Sequence, residues 1–264
     1  MKVGYIQSSP VFGDKKKNFE EIEKLISNLR ADLIVLPELF ATGYTFTSKK
    51  EAESLAEDLE GETAHFLIKI SQSTGAIVVG GYIEKDHQKI YNSAMIASKN
   101  GVIDSYRKIH LYFKEKMWFS PGDRPLKVYD INGVKIGIMI CFDWIFPETA
   151  RILAILDADI IAHPANLVLP YCQKAMVTRS LENRVFSITS NRIGEEKRGR
   201  DYFRFTGSSQ ITSFNGEILS SAPNDKTYVD IIDIDIQKAR NKKLNEFNDL
   251  FKDRRVELYK TIVK

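Results

Sequence analysis

The chain has 264 residues, 43% of them hydrophobic and 28% charged, so it can bury a sizeable core without disulfides or a structural metal. Its 38 basic and 35 acidic side chains leave a formal charge of only +3, mixed along the sequence, which argues against a nucleic-acid or membrane partner. Met1 leads almost directly into an apolar run with no basic leader or long hydrophobic segment, and the expected location is cytoplasmic.

The pattern opens as β-α-β, with a strand at Val3 to Gln7, a charged helix at Lys16 to Arg30 and a strand at Asp32 to Leu36. A helix over Glu62 to Thr74 follows, then strands at Ala76 to Tyr82, Ile90 to Ser98 and Val102 to Arg107, with Asn100-Gly101 as a hairpin turn between the last two. Beyond a loop containing Pro121-Gly122-Asp123, the apolar run Val134 to Ile140 reads as a buried strand ending at Cys141, and Pro147 opens a helix through Leu156. Strand Asp159 to Ala162, helix Pro170 to Asn183 and strand Val185 to Ser190 extend the alternation. Ser208 to Phe214 and Gly216 to Leu219 form a turn-linked pair, and Thr227 to Ile234 is a further strand. The expected fold is α/β, mixed sheets with helices on their outer faces, in a single domain over residues 1–264. From Gln237 onward the chain is highly charged yet carries Leu244, Phe247, Leu250, Phe251, Leu258 and Tyr259, so about residues 237–264 are expected to form an arm that docks on its own subunit or on a neighbour.

The basic clusters at Lys15-Lys16-Lys17 and Lys197 to Arg200 are short and read as solvated surface. His65, His87, His110 and His163 show no paired ligand spacing, and Cys141 and Cys172 stand in very different settings, so neither a metal, a redox pair nor a disulfide is expected. Three residues stand out because each follows a predicted strand. Cys141 ends a buried run, at the edge where ligands collect in α/β folds, although a free cysteine is more often a small buried hydrophobe. Glu38 interrupts the apolar stretch Leu33 to Phe40, where its charge demands a partner or acts as a general base. Lys108 follows Val102 to Arg107, a place where a lysine often simply faces water. Together on one rim, a carboxylate could take the thiol proton while an ammonium steadies the thiolate, and Lys108 with the Phe142 backbone amide could receive an oxyanion.

The ordered segments Pro37-Glu38-Leu39-Phe40 with Thr42-Gly43-Tyr44, Tyr106-Arg107-Lys108-Ile109-His110-Leu111, and Ile140-Cys141-Phe142-Asp143-Trp144 with Phe146-Pro147-Glu148 resemble the motifs of the nitrilase superfamily, the carbon-nitrogen hydrolases. Tyr91-Asn92-Ser93-Ala94, Pro121-Gly122-Asp123, His163-Pro164-Ala165-Asn166 and Leu181-Glu182-Asn183-Arg184 resemble further stretches of the family and are read as scaffold or pocket wall. The resemblance spans nearly the whole chain and suits the small single-domain branch that includes N-carbamoylputrescine amidases, ω-amidase-like enzymes and archaeal-type nitrilases.

It implies a four-layer α-β-β-α sandwich, a Glu38-Lys108-Cys141 triad, and a second active-site glutamate at Glu115. It also implies a homodimer or higher homo-oligomer and no cofactor. The expected activity is hydrolysis of a small linear amide or N-carbamoyl amine through a cysteine thioester. Conversion of a small aliphatic nitrile is the nearest alternative, and a non-catalytic binding protein on the same fold the alternative of another class. Tyr44, Tyr112, Trp144 and Asn166 are candidate substrate-binding residues by their adjacency to the motifs.

Overall fold

The computed structural model describes residues 1–263. In chain order the strands are β1 (Lys2–Gln7), β2 (Leu33–Val35), β3 (Ile77–Asp86), β4 (Lys89–Ser98), β5 (Gly101–Arg107), β6 (Val128–Ile131), β7 (Val134–Ile138), β8 (Ile160–Pro164), β9 (Phe186–Ser190), β10 (Glu195–Arg198), β11 (Asp201–Arg204), β12 (Gln210–Thr212), β13 (Ile218–Ser221) and β14 (Tyr228–Asp233). The helices are α1 (Lys15–Ile26), α2 (Lys49–Ser54), α3 (Glu62–Thr74), α4 (Glu115–Trp118), α5 (Pro147–Ile155), α6 (Cys172–Asn183) and α7 (Gln237–Arg240).

Two sheets form, in the spatial orders β14-β1-β2-β3-β4-β5 and β13-β12-β9-β8-β7-β6. Each has a parallel centre, β1-β2-β3 in one and β7-β8-β9 in the other, extended by antiparallel strands. Strand periodicity explains the layering. Val3 and Tyr5 face the second sheet and belong to the central core with Ile138 and Ile160, whereas Ile6 faces outward onto Ile22 of α1 and Leu67 of α3. α1 presents Asn18, Ile22 and Ile26 to that outer face at helical spacing, and Asp14 caps its start by accepting from the Lys17 amide. α5 and α6 cover the second sheet, donating Leu153 and Met176 to the core. The result is the expected α-β-β-α sandwich.

Element boundaries differ from expectation where turn chemistry prevailed. α1 stops at Ile26, short of Arg30, ahead of Asn28 in the left-handed region. The β4–β5 loop is Lys99-Asn100, with Gly101 already paired to Ser98 in the ladder. Asn132-Gly133, both at positive φ, join β6 to β7 in a further hairpin turn of the Asn-Gly kind.

The segment Lys197 to Arg200, read as solvated surface, lies in the β10–β11 hairpin, and Arg198 bonds Glu51 and lies over the Phe12 ring. The start of the expected arm lies against the body of the chain. Arg240 grips Asp159, Arg184 donates to the Asn241 carbonyl, and Lys242 donates to the carbonyls of Asn183 and Arg184 at the end of α6. Lys264, the last residue of the expected arm, lies outside the described residues.

Candidate active site

β2 and β5 end at the same edge of the first sheet, because β3-β4-β5 reverses direction twice. Glu38 follows β2 and Lys108 follows β5; Cys141 and Asn166 follow β7 and β8 of the facing sheet. All four sit on one rim, where strand ends leave backbone free to turn inward. The Glu38 loop is held tightly. A Cβ added to Gly81 of β3 would lie 2.5 Å from both the Glu38 Cα and the Leu39 nitrogen, so only glycine lets the strand pass this close. Leu39 itself takes φ 48°, and Cys141 takes φ 40°, a left-handed backbone that lifts the thiol off the strand line into the cleft.

Lys108 Nζ donates to Glu38 Oε1 at 2.7 Å and to Glu115 Oε1 at 2.8 Å, with all three side chains buried. Asn92 Nδ2 adds a second donor to Glu38 Oε1 at 2.7 Å, and the Tyr44 hydroxyl donates to Glu115 Oε1 at 2.7 Å. The Tyr112 amide donates to Glu115 Oε2 at 3.2 Å. One oxygen of Glu38 is therefore doubly bonded, while Oε2 is buried and has no partner among the described residues. A buried carboxylate oxygen left unmatched is costly, and such groups concentrate where chemistry needs them.

The electrostatics follow from this crowding. Burial pushes the Cys141 thiol well above its usual range, the Glu38 charge pushes further, and Lys108 opposes both. Burial would lower Lys108, but the Glu115 and Glu38 carboxylates outweigh it and hold the ammonium charged. Burial also raises Glu115, against the pull of Lys108. Tyr44 is raised by burial and by Glu115, and Tyr112 by burial and by Cys141, so both phenols stay neutral donors facing the site.

Supporting residues fix the cysteine turn. His163 Nε2 lies 3.0 Å from the Cys141 carbonyl; a carbonyl only accepts, so this nitrogen carries the hydrogen and Nδ1 accepts from the Thr189 hydroxyl at 3.1 Å. Burial pulls His163 down to about 4, keeping it neutral. Asp143 accepts from the Ile140 amide at 2.8 Å, from the His110 ring at 2.8 Å and from Tyr106 at 2.8 Å.

The structure thus brings together Glu38, Lys108, Glu115, Cys141, Tyr44 and Tyr112. Trp144 is buried in the core cluster that contains Cys141, its carbonyl accepting from Arg179, and the half-buried Phe142 ring lies tilted against that of Tyr112 at 5.0 Å between centroids. The reading assigned Asn92 and His163 to scaffold or pocket wall, and gave no role to Asp143 or Glu196. Glu196, from β10, accepts from the Tyr44 and Thr45 amides and so anchors the Tyr44 loop. Its only advance signal is that it is one of two adjacent acidic residues, Glu195 and Glu196, in a polar stretch, which spacing cannot resolve. Beside Glu115 an aromatic recess is lined by Tyr44, Phe113, Trp118, Phe119 and Phe203, with the Lys114–Asp201 ion pair among its walls.

Residues 2–243 match the family described as carbon-nitrogen hydrolase. The chain is 48% identical over 263 residues to a nitrilase of Pyrococcus abyssi, covering 98% of this chain and 99% of that one. It is 32% identical over 264 residues to an (R)-stereoselective amidase of a Pseudomonas species, covering 98% of this chain and 93% of the relative. Among solved structures, the carbon-nitrogen hydrolase of Helicobacter pylori G27 superposes with a TM-score of 0.90 at 25% identity, over 100% of this chain and 98% of that chain.

Proposed function

The chain belongs to the carbon-nitrogen hydrolase family, and on that premise we propose that it hydrolyses a small linear amide or N-carbamoyl amine through a thioester on Cys141. The observation that carries this reading is the asymmetry of Glu38: Oε1 is held by Lys108 and Asn92, while Oε2 is buried without a partner among the described residues, on the rim that Glu38 shares with Cys141. A base held by one oxygen is oriented and still reactive through the other.

In this scheme Glu38 Oε2 takes the Cys141 proton as Sγ bonds to the carbonyl carbon. The carbonyl electron pair moves onto oxygen, where the Lys108 ammonium and the Phe142 amide receive it. Glu38 returns the proton to the departing nitrogen as the carbon-nitrogen bond breaks, leaving the thioester. Glu38 then deprotonates water, hydroxide adds to the thioester carbon, and the acid leaves as Sγ regains its proton. Glu115 and Tyr44 position the Lys108 ammonium.

A second reading, hydrolysis of a small aliphatic nitrile to acid and ammonia, draws on the name of the 48% identical relative. Thiolate attack is common to both. The test is ammonia release from linear amides, N-carbamoyl amines and aliphatic nitriles, with intact-mass trapping of the acyl adduct on Cys141. Turnover of amides with an adduct that Cys141→Ala abolishes supports the proposal; failure to turn over any amide sinks it.

We further propose that the expected single domain over residues 1–264 works as a homodimer. Apolar side chains left exposed on α5, α6 and the arm, including Ile152, Leu181, Phe247 and Leu258, support self-association.

A further inference from the structure

Asn166 is 2% exposed, yet neither its Nδ2 nor its Oδ1 finds a partner among the described residues. The other buried asparagines each spend at least one side-chain atom on the protein. Asn18 bonds the Val11 and Ala41 carbonyls, Asn92 bonds Glu38, Asn183 bonds the Arg179 carbonyl, and Asn191 bonds the Leu167 amide and the Gly207 carbonyl. Asn166 is also not free to swing away. The Ala165 amide is tied to the Ser190 carbonyl at 2.8 Å and the Leu167 amide to Asn191 Oδ1 at 2.9 Å, which pins the backbone on both sides.

Asn166 follows β8, which pairs with the β7 strand that leads to Cys141, and three residues before it His163 bonds the Cys141 carbonyl at 3.0 Å. Its carboxamide is therefore buried next to the cysteine turn with both hydrogen-bonding functions unspent. A buried amide in that state costs free energy unless a bound molecule completes it.

We propose that the Asn166 carboxamide recognises the nitrogen end of the substrate, Oδ1 accepting a substrate N–H and Nδ2 donating to a substrate acceptor, and thereby selects amide or ureido groups over nitriles. The discrimination lies in Oδ1. An amide or N-carbamoyl group brings N–H donors to it; a nitrile carries a lone pair and no N–H, and leaves that oxygen buried and unmatched. A site built to hydrogen-bond a substrate donor rejects the analogue lacking it far more strongly than an apolar pocket rejects a change of size.

This inference rests on the proposed amide chemistry, and it can be tested without hydrolysis. Acrylamide and acrylonitrile both alkylate a thiol by conjugate addition. The sulfur bonds to the terminal carbon, the π pair moves to the neighbouring carbon, and that carbon takes the proton the thiol gave up. They differ in bearing a carboxamide or a nitrile. Second-order rates of adduct formation at Cys141, read by intact mass and peptide mapping, are measured with both reagents and normalised to their rates with glutathione.

The wild-type protein is expected to favour acrylamide by about tenfold or more over the free thiol. Asn166→Leu, and Asn166→Ala should the larger side chain fail to fold, bring the ratio to that of glutathione. A wild-type ratio equal to that of glutathione, as expected if the carboxamide merely holds a water, overturns the inference. So does a preference that survives in the folded Ala variant. Loss of ammonia release from amides with the alkylation preference intact would instead count against the hydrolytic reading alone.

Discussion

The Tyr106 hydroxyl, on the strand leading to Lys108, donates at 2.8 Å to the carboxylate of Asp143, two residues beyond Cys141. This bond crosses from one sheet to the other and ties the lysine segment to the cysteine turn. Tyr106→Phe leaves the Ile140 amide and the His110 ring and amide on Asp143 and is expected to cost about 1 kcal/mol, whereas Asp143→Ala strands all four donors and is expected to cost about 2–4 kcal/mol. Urea unfolding measures both. Because the link positions groups without touching substrate, kcat falls more than KM rises; a variant with altered KM and unchanged kcat would contradict this.

Lys108 neutralises two buried carboxylates at once. Lys108→Met is expected to lower stability by about 3–5 kcal/mol, because Glu38 and Glu115 are left buried and unpaired. Its turnover is expected to drop by about 10²–10³, through loss of an oxyanion donor. Glu38→Gln keeps an acceptor for Lys108 and Asn92, so it should fold almost normally while losing about 10²–10⁴ in kcat. Steady-state kinetics beside thermal melts separate the two. A Glu38→Gln enzyme with near-normal kcat would refute the proton route.

His163 gives a pH signature. In the folded chain burial holds it down at about 4, while an unfolded histidine titrates near 6.5. The unfolded state therefore binds the extra proton first as pH falls. The His163 contribution is fully present above about pH 6.5 and is lost progressively toward pH 4, amounting to about 3 kcal/mol across that window. Gln can donate to the Cys141 carbonyl and accept from Thr189 without titrating. His163→Gln should accordingly flatten the fall in unfolding free energy between pH 6.5 and 4; equal slopes in the two proteins would be inconsistent with a neutral buried imidazole.

The arm offers a test of assembly. Phe247 is 85% exposed and Leu258 68% exposed, a waste of apolar surface in a chain that works alone. Light scattering after gel filtration is expected to give a dimer for the wild type and a monomer for Phe247→Asp with Leu258→Asp. A monomeric wild type ends the proposal of a dimer.

Much of the frame was legible because burial imposes period and run length. The continuously apolar Ile160-Ile161-Ala162 could only be an inner strand, and the ends of β2, β5 and β7 placed Glu38, Lys108 and Cys141 on one rim. The β10–β11 hairpin was invisible because Glu195 to Arg204 is dominated by charged residues with no strand period and is held by partners remote in sequence, Glu196 to the Tyr44 loop and Arg198 to Glu51. Asn92 and His163 stood in segments already singled out. What the sequence could not supply was orientation: a scaffold amide and one that steers Glu38 are the same letter until the fold turns Nδ2 toward Oε1.

The pressure of Gly81 against the Glu38 backbone carries a consequence for how such a chain diversifies. With no room for even one added methyl group at that crossing, the base is inherited as part of the sheet. Novelty in what is cleaved has to arise from the peripheral turns, chiefly the Tyr44 loop and the hairpin that clasps it, whose side chains can vary without shifting the carboxylate.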